Sequence, residues 1–167
     1  SNLGGPGSED SATPREYDPS KKVSATTFGL TTTVMTQADI AKIQKVAGIK
    51  SVEPNLSLAP DFIKGPSDKK FQVSANPYIS GTRVELAVGD QLNNDSAELQ
   101  VLVPVEYVEV LGFSSNEAAV GTTVSIGVTD GAGQQRVVSA IVKGIQQKGV
   151  TNAGGMNTNT ALTNAIY

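Results

Sequence analysis

Two β-type segments in the second half of the chain constrain its fold more than any other feature. Residues 123–129, TVSIGVT, alternate polar and apolar side chains, and residues 136–145 form a second long run rich in valine and isoleucine. Asp130-Gly131-Ala132-Gly133 between them is a turn signal, so the pattern predicts a β-hairpin. The same glycines do not indicate a phosphate-binding loop, because such a loop leads from a strand into a helix.

A helix is predicted over residues 37–47. Thr36 is a favourable N-cap residue, and Asp39, three positions later, can complete a capping box. Apolar residues then recur at helical spacing, and Gly48 stands where a residue with positive φ commonly ends a helix. A short strand is expected directly afterwards, at residues 49–52.

The remaining turn and capping signals predict further short helices and strands. Pro104 is suited to the first position of a helix, which would end at Gly112. The predicted elements are a strand at 70–74, a segment at 83–89 ambiguous between a strand and a helical turn, a polar loop at 91–96, a strand at 98–103, a helix at 104–111, a loop at 149–159 and the start of a further element at 161–167. Strands and helices that do not strictly alternate indicate an α+β fold.

Composition excludes several functional classes. The 167 residues include no cysteine and no histidine, which removes Ser-His-Asp triads, cysteine nucleophiles, ordinary zinc sites and haem ligation. The net charge is −3 and the basic residues are scattered, so we expect no nucleic-acid partner. Neither a membrane-spanning segment nor a signal peptide is recognisable. We therefore expect a protein that is not an enzyme and that has no cofactor.

Residues 1–22 are predicted to be a tag remnant followed by a polar loop or linker. Ser1-Asn2 is typical of the scar that a cleaved tag leaves. Three prolines interrupt the segment that follows. Because apolar side chains are scarce there, we expect Tyr17 or Phe28 to attach this loop to the body of the protein.

The acidic residues offer two weak candidates for chemistry. Glu106 and Glu109 lie three residues apart on the predicted second helix, a spacing more typical of a solvated helix face than of a catalytic carboxylate pair. The Asp90, Asn93, Asn94 and Asp95 cluster has oxygen ligands suited to calcium, but such clusters more often form turns through side chain to backbone hydrogen bonds.

One region is a candidate contact surface for a partner. Lys42 and Lys45 lie on one face of the first predicted helix, where an acidic partner or a solvated face would both account for them. Beyond Pro54 the chain carries an apolar run that is expected to belong to the core and that is a partner contact wherever it is exposed. The residues of this run are Leu56, Leu58, Phe62 and Ile63.

Four segments in order resemble the extracytoplasmic domain of FtsX-like ABC-transporter permeases, the MacB-type periplasmic core domain. The first, residues 35–54, is similar to a helix that leads into a G-V-x-x-V-x-P strand. The second, residues 86–90, has Asp90 where the family often has arginine. The third, residues 99–126, ends in a VGTTVSI sequence similar to VGKTVTI, and the fourth is residues 140–145.

The resemblance implies a fold and a function. It implies an α/β, porter-like lobe next to the membrane, residues 23–82 with 148–167, and a β-rich lobe containing the hairpin, residues 83–147. It also implies a non-catalytic domain on the extracellular face of a bacterial membrane that couples ATP hydrolysis in a separate cytoplasmic subunit to movement outside the membrane. The implied partners are that ATPase, a second permease copy, and a peptide or lipoprotein.

Two other functions stay open at this level. The threonine- and asparagine-rich, cysteine-free composition also suits a wall-anchored adhesin or pilin-like module, although such modules tend to be all-β sandwiches. An extracellular hydrolase acting through carboxylates is the third hypothesis, and it would depend on residues such as Glu106 and Glu109.

Overall fold

The computed structural model of the protein describes residues 14–20, 37–48, 59–130, 132–148 and 155–166. They belong to two compact units. The described part of the smaller unit comprises residues 18–20 and 37–48, and that of the larger unit comprises residues 14–17 and those from 59 onward.

The smaller unit contains helix α1, Gln37–Gln44. Beyond it, the Lys45 N–H donates to the Lys42 carbonyl at 3.2 Å, a hydrogen bond of the tighter 3₁₀ kind. Gly48 follows with φ of 95°. The predicted helix is therefore confirmed, although it ends three residues early, whereas Thr36 and the strand expected at 49–52 lie outside the described residues.

The larger unit is built on one eight-stranded sheet, counted within the described residues. The strand order is β2-β1-β6-β7-β5-β8-β3, with β4 paired to β7 as well. The strands are β1 Phe62–Lys64, β2 Lys70–Phe71, β3 Ala75–Pro77, β4 Leu86–Gly89, β5 Gln100–Pro104, β6 Thr123–Thr129, β7 Gln135–Gln146 and β8 Met156–Thr158. Three short helices accompany them: α2 Val105–Val108, α3 Asn116–Ala119 and α4 Thr160–Ile166. The protein is thus mixed α/β, mostly sheet with few helices.

Strand β7 is the centre of the sheet. Its first half pairs antiparallel with β6 from Gln135 to Ile141, and its second half lies parallel to β5 and antiparallel to β4. At the turn, the Asp130 carboxylate accepts hydrogen bonds from the N–H groups of Ala132 and Gln134, both at 2.9 Å. The predicted hairpin and its turn are confirmed, and the aspartate stabilises the turn locally.

The core lies where β5 and β7 meet the helices. Val101, Leu102 and Val103 are fully buried in succession, as expected for a strand covered on both faces. Helix α2 contacts β5, α3 contacts β4 and β7, and α4 contacts β5, β7 and β8. The chain thus forms the α+β arrangement that its sequence indicates.

The second predicted helix, 104–111, is shorter in the structure. Pro104 is the last residue of β5 and the N-cap of α2, with an extended backbone, so placing it inside the helix was wrong. The turns that follow α2 close as a Schellman motif, in which the Phe113 N–H donates to the Val108 carbonyl at 3.1 Å. Gly112 provides the required positive φ, 94°.

Of the remaining predicted elements, the loop at 149–159 is wrong and the others are confirmed at least in part. The expected loop at 149–159 contains β8, which pairs with β3 and β5. The expected strand at 70–74 shortens to β2, the ambiguous segment at 83–89 contains β4, and the polar loop at 91–96 has neither helix nor strand. The element expected at 161–167 is α4, and α3 has no sequence prediction.

The predicted division into lobes stays a prediction. Strand β1 belongs to the range 23–82 and pairs with β6, which belongs to 83–147. Among the described residues, no helix is both long enough and apolar enough to cross a lipid bilayer.

Candidate functional site

Residues 14–17 form a short strand-like attachment to the outer edge of β2, which we call the clamp. The Tyr17 N–H donates to the Lys70 carbonyl and the Gln72 N–H donates to the Arg15 carbonyl, both at 2.8 Å, on either side of a bridge between Glu16 and Phe71. These are antiparallel ladder bonds. The clamp therefore extends the sheet by one strand and holds this segment of the chain in a defined register.

An aromatic contact reinforces the clamp. The ring of Tyr17 lies 5.3 Å from that of Phe62 at an angle of 46°, and the Lys70 ammonium nitrogen lies 4.3 Å from the centre of the Phe62 ring. Phe62 also covers Gly127 on β6, where a methyl group would collide with the ring. The expectation that Tyr17 attaches the leading loop is confirmed, while Phe28 lies outside the described residues.

Polar side chains at the end of the hairpin complete this corner of the sheet. The Asp61 carboxylate accepts hydrogen bonds from the Thr129 hydroxyl at 2.6 Å and the Gln135 amide at 3.2 Å. The same Gln135 amide lies 3.4 Å from the Tyr17 hydroxyl oxygen, which accepts from it. The clamp is therefore joined to β6 and β7 as well as to β2.

Gln72 is the junction between the clamp and the helices. Its N–H donates to the Arg15 carbonyl of the clamp, and its carbonyl accepts a hydrogen bond from the Tyr107 hydroxyl of α2 at 2.7 Å. Burial of the phenol, and secondarily the nearby charge of Glu106, raise the pKa of Tyr107. One backbone unit thus links the leading segment of the chain to the helix that follows β5.

Asn159 organises the other end of the described chain. Its side chain is fully buried and its Oδ1 accepts from the N–H groups of Gln100 and Leu162, at 3.0 and 3.1 Å. Its Nδ2 donates to the carbonyls of Asn93 and Glu98, at 3.1 and 2.8 Å. It is the N-cap of α4 and fixes that helix to β5 and to the loop before it.

A second buried polar network, around Gln146, holds the start of β8. The buried Gln146 amide donates to the Gly155 carbonyl at 2.8 Å, and its oxygen accepts from the Asn157 amide at 2.7 Å. The hydroxyls of Thr158 and Thr163 share a hydrogen bond of 2.8 Å. Because these groups are satisfied inside the protein, this network holds β8 and α4 in place rather than offering a ligand site.

The residues predicted as a partner surface are divided between the two units. Lys42 and Lys45 are exposed in the smaller unit, whereas Phe62 and Ile63 are almost fully buried in the core of the larger one. The core interpretation of the apolar run therefore holds for Phe62 and Ile63, and burial leaves neither of them a surface for a partner. Leu56 and Leu58 lie outside the described residues.

Asn93 and Asn94 of the candidate calcium cluster take part in other hydrogen bonds. The Asn93 side chain accepts the Asp95 N–H at 2.9 Å, which is the local turn-forming bond expected of such a cluster. The Asn94 side chain instead bonds to distant backbone groups, the Tyr78 carbonyl and the Thr160 N–H. Within the described ranges, no group of three or more carboxylates is placed to hold a metal ion. Glu106 has one buried carboxylate oxygen without a hydrogen-bond partner in the described part of the chain.

Sequence reasoning missed two residues that matter here. Gln72 gives no local signal, because its role depends on two distant segments that meet at its backbone. Asn159 does give one, since an asparagine directly before TALTNAI is a standard N-cap position. No protein-family model and no curated protein matches the chain.

Proposed function

We propose that the chain is a non-catalytic extracellular domain of an FtsX-like ABC-transporter permease. In this proposal it couples ATP hydrolysis by a separate cytoplasmic subunit to movement outside the membrane. It contacts a peptide, lipid-like substrate or lipoprotein there. The four segments similar to the MacB-type core domain occur in the order found in that family, which supports the assignment. The mixed sheet with helices also fits this family better than it fits an adhesin, for which an all-β sandwich is typical.

The observation that carries the mechanical part is the attachment of two distant segments to one sheet. The clamp bonds residues 14–17 to β2, and Asn159 bonds α4 to β5. Backbone ladders run from β2 through β1, β6 and β7 to β5. A displacement applied to either segment would therefore be carried by the sheet as a whole instead of being absorbed in a loop.

Gln72 and Tyr107 give a second route for the same displacement. A pull on the clamp reaches the Gln72 backbone, and the Tyr107 hydroxyl bond passes it to α2. In the proposed two-lobe arrangement, residues 23–82 with 148–167 lie nearer the membrane and residues 83–147 farther from it. Because β1 pairs with β6, motion of one lobe would be carried into the other.

The experiment that tests the assignment is to sequence the parent gene on both sides of this chain. The proposal predicts an apolar segment of about 20 residues on each side, two more toward the C-terminus, and an ATPase gene alongside. A cleaved signal sequence, repeats of this domain and a wall-sorting tail would overturn it and favour the adhesin or pilin-like alternative.

A further inference from the structure

Strand β7 has one partly open edge. Over Gln135–Ile141 it pairs with β6 on one side, and on the other side β5 begins only opposite Ile141. Residues 135–140 therefore have a partner strand on a single edge within the described part of the chain. We call the other side of these residues the open edge.

The open edge exists because the chain approaches β5 from another direction. The backbone bends at residues 97–98, and β5 starts at Gln100. The first hydrogen bond on this side of β7 joins the Ile141 N–H to the Leu99 carbonyl at 2.7 Å. The bend keeps the preceding residues from continuing the ladder along the start of β7.

The alternation of the ladder identifies which groups face outward. The Asp130 N–H bonds to the Gln134 carbonyl and the Val142 N–H to the Thr122 carbonyl, so even-numbered residues of β7 exchange bonds with β6. The odd-numbered residues then direct their N–H and carbonyl groups away from β6, as Ile141 does toward Leu99. On the open edge these residues are Gln135, Val137 and Ser139.

This edge lacks the features that usually prevent strand addition. Residues 135–139, QRVVS, contain no proline or glycine and a single charge. That charge, Arg136, is directed to the Ile166 carbonyl at the end of α4, 3.4 Å away. Val137 stands at the middle of the segment with 58% of its surface exposed.

We propose that the open edge of β7 pairs antiparallel with the same edge of a second copy of this chain. A two-fold axis at Val137 sets Val137 opposite its own counterpart, in a hydrogen-bonded pair. The same register sets Gln135 opposite Ser139 and Arg136 opposite Val138. No like charges then face each other directly, and the two exposed valines cover one another.

The charge pattern disfavours a basic partner strand, and the self-complementary register favours a second copy. In the self-paired register each arginine meets the half-buried Val138 of the other copy, whereas a basic strand would meet Arg136 with a like charge. The contact is short, so the association is weak and depends on concentration. This inference rests on β7 alone and would stand if the proposed transport role were wrong.

Sedimentation of the 167-residue chain at rising concentration, up to about 1 mM, tests the proposal. The unsubstituted chain is expected to shift from monomer to dimer. Val137→Pro removes the outward N–H without touching the bonds to β6, and is expected to be monomeric throughout. Val137→Thr keeps the N–H and the β-branched shape, and is the matched control that still dimerises.

A charge exchange keeps the test decisive if the proline variant does not fold. Val137→Lys and Val137→Glu each place like charges opposite in the symmetric pair and are expected to weaken dimerisation at least about fivefold. Their equimolar mixture is expected to recover dimers. A chain that stays monomeric at every concentration, a proline variant that dimerises normally, or a mixture no tighter than the single variants would overturn the proposal.

Discussion

At the scale of single residues, the described chain is held at a few points by polar groups that join distant segments. The Asn159 side chain bonds five backbone groups, and the backbone of Gln72 joins the clamp to α2. Such groups stabilise little while complete, but each partner left unsatisfied inside the protein is costly. Single substitutions at such residues therefore show whether a segment is held by these hydrogen bonds or only by packing.

Asn159→Ala is expected to lower the free energy of unfolding by about 3 kcal/mol, since it leaves buried N–H and carbonyl groups unpaired and removes the cap of α4. Urea unfolding measures the change. Asn164→Ala, on the exposed face of the same helix, is the matched control and should alter stability by less than about 0.5 kcal/mol. Equal effects of the two substitutions would contradict the role given to Asn159.

Tyr107 should make stability fall at alkaline pH. Because burial raises the pKa of Tyr107 in the folded protein, the unfolded chain loses this proton first, and its contribution to stability is lost as the pH rises through and beyond about 10. Urea unfolding between pH 8 and 11 would show the decline. Tyr107→Phe should flatten that part of the profile, and a slope as steep as in the unsubstituted protein would refute the assignment.

At the scale of elements, the clamp depends on close packing between β1 and β6. Gly127 leaves room for the Phe62 ring, and that ring in turn receives Tyr17. The clamp is therefore held by one backbone ladder and one aromatic contact, which stabilise each other. Loosening the contact should release the clamp before it unfolds the sheet.

Gly127→Ala is expected to displace the Phe62 ring and to destabilise the protein by about 2 kcal/mol. Amide hydrogen exchange should show the loss first at Tyr17 and Gln72, whose N–H groups form the clamp ladder. Ser125→Ala on the same strand is the control and should leave those amides protected. Unchanged protection of the clamp in the Gly127 variant would show that the aromatic contact does not hold it.

Elements with local signals were predicted well from the sequence, and elements that depend on distant partners were not. The hairpin and α1 follow from alternation, turn chemistry and helical spacing within one stretch of chain. Strand β8 has only the residues Met-Asn-Thr, and it forms because β3 and β5 lie on either side of it. The clamp was anticipated only through Tyr17, since the pairing of residues 15–17 with β2 is invisible in either segment alone.

At the scale of the whole molecule, the larger unit is a single sheet to which both ends of its described chain are attached. The proposed role requires this sheet to move as one body when the transporter changes state. It also requires the clamp and α4 to keep their separation during that movement. This chain has no cysteine, so cysteines introduced into it are the only labelling sites within its 167 residues.

The most direct test is therefore a pair of distance measurements in the parent protein with its ATPase, using spin labels on exposed positions. With Lys69→Cys and Asn164→Cys in one copy, the distance across the sheet should be the same in the ATP and ADP states. With Asn164→Cys alone in each of two copies, the distance between copies should change between these states. A nucleotide-dependent change within one sheet, or no change between copies, would contradict a rigid domain that transmits movement.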